Sequence, residues 1–315
     1  MTRWQADALL ISVALIWGFA FVPQAWGMEH LGPFAFTGLR FALGALVVAP
    51  LAWLEWRQPK VHAVATAGGW AAMAGLGSLI FLGAALQQVG LLTTSATNAG
   101  FLTALYVPMV PVLGWLFFGR KPHWVVWPAA LACVVGTWLL AGHQGSDTAG
   151  ATMATTFVVG DLWVLGSSLP WALHVALVGW VSARWNVGYV LALVQFIVCS
   201  VLALVVSLVI EPWSWAAIQG AGWAILYTGA VSVGIGYTGQ VVAQRHTHAS
   251  DAALIMSSET VFAALFGALL MGDRLTPSGW LGCGLILVAI VVSQWLPLRQ
   301  GGNGHGASEA EASHP

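Results

Sequence analysis

One carboxylate, Glu259, stands inside a run of about twenty apolar or small residues from Ala252 to Met271. A helix of that length spans roughly 30 Å, the thickness of a bilayer core. A carboxylate near its middle costs several kcal/mol unless it faces protein or a wet cavity. Glu259 therefore reads either as a structural acceptor for Ser257, Ser258, Thr260 or Arg40, or as a protonatable coupling site or ligand for a cargo amine. Arg40 is a second charge inside an apolar run, and it must pair with Glu259, hold a bound carboxylate, or snorkel to the headgroups. His174 lies three residues after Trp171, on nearly the same helix face, and reads as hydrogen-bonded core or as cavity wall. Trp17 and Trp171 sit in mid-run, whereas most of the nineteen tryptophans, such as Trp4, Trp53, Trp124, Trp213 and Trp280, sit at run ends as interfacial anchors. The mid-run pair either packs helices or walls a cavity for an aromatic or apolar cargo.

Further polar residues interrupt the apolar runs at Gln87, Gln88, Asn98, Tyr106, Gln195, Tyr237, Gln240 and Gln244. Interhelical hydrogen bonds explain each singly; a cavity lining explains them as a set. With so few charges, such a cavity suits a small zwitterionic or neutral solute better than a nucleotide. Membrane-embedded enzymes need convergent groups: paired aspartates, a histidine pair with an acid, or a serine with histidine or lysine. The runs offer one central glutamate, one arginine and one histidine on different helices, so a Glu259–His174 dyad is the only remnant of that reading. No metal site and no cofactor are expected. The P-loop pattern GxxxxGK[ST] does not occur, and a formal net charge of −1 gives no basis for nucleic-acid binding. Cys133, Cys199 and Cys283 each lie in an apolar run and read as core.

The elements that must position these residues are membrane spans. The chain is 59% hydrophobic and 7% charged, against roughly a quarter charged in a soluble domain. Ten spans are expected, at about 6–26, 33–54, 68–90, 95–118, 123–142, 157–182, 188–210, 216–243, 249–271 and 277–297. With the N-terminus in the cytoplasm, the inner side receives Arg3, Arg57, Lys60, Arg120, Lys121, Arg184, Arg245 and Arg299, and the outer side only Arg274. That split predicts an inner-membrane, multi-pass protein with both termini cytoplasmic. The Gly-, Ala- and Glu-rich stretch 300–315 is expected to be a disordered cytoplasmic tail.

The two halves repeat. Asp7 and Trp17 recur as Asp161 and Trp171 at an offset of 154, and residues 95–121 align with 248–274 at 153. At 153, Gln87 falls opposite Gln240 and Tyr106 opposite Glu259; at 155, Arg40 falls opposite Gln195. A duplicated five-helix unit inverts its second copy, because five is odd. The expectation is an all-α membrane protein of ten helices in two inverted five-helix repeats, 1–142 and 157–299, joined by a periplasmic linker 143–156. Such repeats carry alternating-access transporters, with the cargo site between the halves. Pro108 and Pro111 are expected to interrupt span four. Gly75 and Gly77 in span three, and Gly234, Gly236 and Gly239 in span eight, are expected to allow close helix approach. The hairpins of spans three–four and eight–nine are then the moving gates, with Pro108 and Gly236 as gating residues.

The chain also resembles the drug/metabolite transporter superfamily, EamA-type branch, over roughly residues 6–297. Ile16-Trp17-Gly18, Arg40-Phe41, Ser95-Ala96, Pro108, Ser258-Glu259 and Gly272-Asp273-Arg274-Leu275-Thr276 carry the resemblance. Two positions depart from the pattern: Val261 stands where the family often has proline, and Asp273 where it often has glutamate. The first implies a less bent span nine. The resemblance implies a bacterial inner-membrane carrier, with the lipid bilayer and a small-molecule cargo as partners; proton coupling through Glu259 and facilitated diffusion down the cargo's own gradient both stay open. Export of small metabolites, amino acids first, is the expectation. A drug or osmolyte exporter of the same fold is the alternative within the class, and a membrane-embedded enzyme the alternative outside it.

Overall fold

The computed structural model describes residues 1–59, 61, 66–94, 96–119, 121–141, 159–271 and 277–292. Every regular element among them is a helix. The sequence dictates several of the boundaries. Helix α1 (Arg3–Met28) starts from a capping box in which the Thr2 hydroxyl accepts from Gln5 N and the Gln5 side chain accepts from Thr2 N. Helix α2 (Pro33–Trp56) begins at a proline, whose missing N–H costs nothing in a first turn. Helix α3 (Ala67–Leu91) is capped by Thr66. Helices α7 (Val159–Trp185) and α8 (Tyr189–Ile210) complete the long unbroken elements. Together with the run Ala249–Leu270, these make six stretches long and apolar enough to cross a membrane. Shorter apolar helices occupy Leu102–Phe117, Val126–Gly136 and Pro277–Val292. The protein is an integral membrane protein.

The stretches expected as spans four and nine are each broken in the middle. Span four divides into α4 (Ala96–Ala104) and α5 (Tyr106–Phe118). Pro108, the third residue of α5, has no N–H to offer the Ala104 carbonyl, and Leu105 N turns back to Leu102 O at 3.3 Å. Span nine divides into α12 (Ala249–Met256) and α13 (Glu259–Phe266) without any proline. Here the Ser257, Ser258 and Thr260 hydroxyls donate to the carbonyls three residues back, at 2.6, 2.7 and 2.8 Å, and tighten the turn. Side-chain hydroxyls, with no proline, accompany the interruption of this helix.

Span eight is a composite of α9 (Trp215–Gly220), α10 (Gly222–Leu226), a π-helical segment Tyr227–Tyr237 and α11 (Thr238–Ala243). Its glycines let it press on its neighbours: a Cβ on Gly229 would come 2.9 Å from Arg40 O, and one on Gly234 would come 2.9 Å from Val47. In α3 the expected close approach holds at Gly77, where a Cβ would meet Val198 and Gln195 of α8 under 3 Å, and fails at Gly75, which has nothing within 4 Å.

The packing follows a regular scheme. Helices α2 and α8 form the largest helix pair; α3 lies on α7, and the π-helical segment lies on α1 and α2. Helix α1 also packs on α12 and α13, and α7 on α4 and α5. The α2/α8 pair is antiparallel and fastened at both ends. Glu55, in the last turn of α2, accepts from Gly188 N and Val190 N at the start of α8, at 2.9 and 2.7 Å. Glu211, at the end of α8, accepts from Phe34 N and Ala35 N at the start of α2, at 2.9 and 2.7 Å. Each carboxylate satisfies N–H groups that a helix start leaves free, at the positive end of the helix dipole.

Candidate functional site

Glu259 is the first residue of α13 and is 4% exposed. The hydroxyls expected to donate to it bond backbone carbonyls instead, and no hydrogen bond or ion pair reaches its carboxylate among the described residues. The structural reading of Glu259 as an acceptor for Ser257, Ser258, Thr260 or Arg40 is thereby corrected. Tyr106 holds the equivalent place, as the first residue of α5 after the other break, and its hydroxyl has no hydrogen-bond partner.

Arg40 is 4% exposed, so it does not snorkel. It makes no ion pair among the described residues. Its Nη1 donates to Gln24 Oε1 at 2.6 Å, and Gln24 Nε2 is anchored on Ala20 O at 3.1 Å. The guanidinium lies over the Phe36 and Phe41 rings, at 5.5 and 5.4 Å. The other half holds a matching but uncharged pair: His174 Nε2 and Gln195 Oε1 are 3.1 Å apart, joining α7 to α8 as Gln24 and Arg40 join α1 to α2.

Two indoles face each other across Tyr237. Trp17 is 4.7 Å from that ring, centroid to centroid, and Trp171 stacks on it at 6.0 Å with planes 22° apart. Each indole lies over a glycine of the other half, Trp17 over Gly236 and Trp171 over Gly83, which are themselves 153 residues apart. Trp17 Nε1 donates to Ser232 O at 3.1 Å, whereas Trp171 Nε1 has no partner.

These groups line one cavity of about 60 Å³. That is several times the roughly 10–15 Å³ that admits one water, so there is room for more than one water beside its polar side chains. Of the residues singled out in the sequence, Glu259, Arg40, Trp17, Trp171, His174, Tyr106, Gln87 and Gln240 all line it. Gly236 underlies Trp17; Pro108 sits two residues beyond Tyr106, about half a turn round the helix, and outside the lining. Asn98 belongs to α4, but its side chain lies outside the described residues, as do Ser95 and the 272–276 turn. Gln88 and Gln244 serve packing instead, through Met28 Sδ at 3.7 Å and Val175 O at 3.0 Å.

The sequence reading missed Gln24, Thr103, Ser232 and Phe21, which also line the cavity. Gln24 carried a signal, a carboxamide in an apolar run. Thr103, which accepts from Gln87 Nε2 at 2.8 Å, and Ser232 did not, since a small hydroxyl in a span ordinarily bonds its own helix. Tyr237 was visible as polar but stands at the centre of the aromatic cluster for a reason that only packing reveals. All three cysteines are buried, and among the described residues no group of three or more His, Cys, Asp or Glu could hold a metal.

An all-helical membrane protein with a polar, aromatic-walled cavity enclosed by helices of both halves belongs to the class of solute transporters. The model of the EamA-like transporter family matches it twice, at residues 4–142 and 158–294, and the chain is a member of that family. It is 29% identical over 295 residues to an uncharacterized transporter of Archaeoglobus fulgidus, covering 92% of this chain and 86% of that protein. It is 23% identical over 208 residues to the aromatic amino acid exporter YddG of Salmonella typhimurium, covering 65% of this chain and 69% of that protein. One solved crystal structure superposes with a TM-score of 0.76 at 17% identity, over 95% of this chain and 99% of that one, a likeness of fold. Family and relatives make this chain a transporter and not an enzyme.

Proposed function

We propose that the protein is a ten-span carrier of two inverted five-helix repeats, 1–142 and 157–299, that exports small zwitterionic metabolites, amino acids first, by alternating access. The observation that carries this reading is the content of the cavity. One buried guanidinium without a carboxylate partner and one buried carboxylate without a donor face the same space, between aromatic walls. A buried charge left without protein compensation is costly, and a cargo bearing a carboxylate and an ammonium would compensate both. The rings suit an apolar or aromatic side chain, and the name of the Salmonella relative makes aromatic amino acids the first to try. Arg40 disfavours the cationic-drug alternative by repulsion.

The inverted repeat is supported by the double family match and by pairs of equivalent features. The two span breaks fall at Leu105 and Ser258, and the two clasping carboxylates are Glu55 and Glu211. Both termini are placed in the cytoplasm of an inner-membrane protein on the Lys and Arg distribution. Glu259 is the coupling residue for protons, and the hairpins of spans three–four and eight–nine are the gates. Counterflow into proteoliposomes tests the reading. Protein reconstituted with unlabelled amino acid inside should take up labelled amino acid saturably, and Glu259→Gln should keep exchange at a raised KM while losing pH-driven accumulation. Linear, unsaturable uptake would mark a channel and refute the carrier.

A further inference from the structure

The guanidinium of Arg40 is held in a way that leaves one particular edge free. Gln24 takes Nη1 at 2.6 Å, and Gln24 is itself fixed to Ala20 O. Arg40 Nε has no hydrogen-bond partner, and Nη2 makes no hydrogen bond among the described residues. Nε–H and Nη2–H point the same way and form the side-on fork that fits a carboxylate with two parallel hydrogen bonds. The guanidinium also lies against the Phe36 and Phe41 rings, so an unpaired fork is held in a side chain that lines the cavity. At the corresponding place in the other half, Gln195 bonds His174 and carries no charge. The cavity therefore has a carboxylate-binding end on one half only, while Glu259 stands on the other half.

We propose that Arg40 is the specificity-determining residue of the carrier: its Nε/Nη2 edge binds the cargo's carboxylate, and its pairing with Gln24 fixes cargo polarity. This rests on the amino-acid reading above and extends it. The amide of the same amino acid offers the fork only one neutral acceptor and the decarboxylated amine none, and both leave the guanidinium charge uncompensated, which is the situation in which a hydrogen-bonding site discriminates strongly.

The test is counterflow of L-phenylalanine, phenylalaninamide and phenylethylamine, each labelled in turn and competed by the other two, for wild type, Arg40→Gln and Arg40→Lys. Wild type should prefer the acid over the amide and the amine by at least about tenfold. Arg40→Gln should erase the preference, and Arg40→Lys should keep part of it, because charge remains and the fork is lost. A purely structural arginine would lower exchange of all three probes in proportion, leaving the preference intact, and that result overturns the proposal. If the variants do not reach the membrane, the wild-type competition decides alone: equal competition by acid and amide overturns it. Exchange of amide and amine without the acid overturns the assignment of Arg40 and leaves the carrier standing. No exchange of any probe overturns the amino-acid reading and this assignment with it.

Discussion

Gly83 and Gly75 lie in the same helix, two turns apart, and the structure assigns them opposite responses to alanine. A Cβ on Gly83 would stand 2.7 Å from Trp171 Cε2, 2.8 Å from Cδ2 and 3.1 Å from Cζ2. Carbon atoms rest at about 3.5–4.0 Å, so the indole would have to retreat by roughly 1 Å. A shift of that size would disturb its stacking on Tyr237. Overpacking of this kind costs about 1–3 kcal/mol. Gly75 has nothing within 4 Å of its Cβ position, so alanine there gains up to about 1 kcal/mol of helix preference. Alanine at Gly83 gains the same helix preference, so the two variants should differ by the overpacking alone, about 1–3 kcal/mol. Thermal unfolding of the purified protein in detergent measures this. At roughly 2–4 °C per kcal/mol, Gly83→Ala should melt at least about 2 °C below Gly75→Ala. It should also raise the KM for cargo, since Trp171 is displaced in the cavity wall. Coincident melting curves and an unchanged KM would refute the packing of Trp171 on Gly83.

Other outcomes follow from the same structure. Glu55→Ala and Glu211→Ala each remove two charge-assisted bonds to a helix start and should each lower stability by about 2–4 kcal/mol, read as a drop in Tm that is larger for the buried Glu55; an effect at one end only would contradict the reciprocal clasp. Trp17→Phe loses the bond to Ser232 O and should cost about 1 kcal/mol. Trp171→Phe loses no protein bond and should cost less, and paired melts compare them. Arg3→Gln breaks the contacts to Asp251 at 3.0 Å and to Asp7 at 3.9 Å, leaving two carboxylates together at the ends of α1 and α12. Thermal melts of that variant should show a loss larger at pH 8 than at pH 4, where protonated carboxylates no longer repel.

The cavity residues were legible because a bilayer makes polar side chains conspicuous. Glu259, Arg40, His174 and the mid-span tryptophans each contradict the run they sit in, and the repeat offsets point to Tyr106, Gln87 and Gln240. The partners were less legible. Arg40 pairs with Gln24 and not with Glu259, a choice made by helix rotation and depth, which an all-apolar run does not encode. The break at Ser257 and Ser258 was missed because proline is the obvious breaker, whereas three hydroxyls returning to their own backbone do the same work. The π-helical segment left no trace, since a period is read from alternating polarity and Tyr227–Tyr237 is nearly uniform. Glu55 and Glu211 look like solvated span ends until folding brings the helix starts 133 and 177 residues away onto them.

The central claim is that one cavity between the halves meets both sides of the membrane in turn. Labelling of a single cysteine at Gln240, with Cys133, Cys199 and Cys283 replaced by alanine, tests it most directly. An impermeant maleimide added to either side of sealed vesicles should modify Gln240→Cys, and saturating cargo should slow the reaction from both sides. Modification from one side only, at a rate that cargo does not change, would contradict the account.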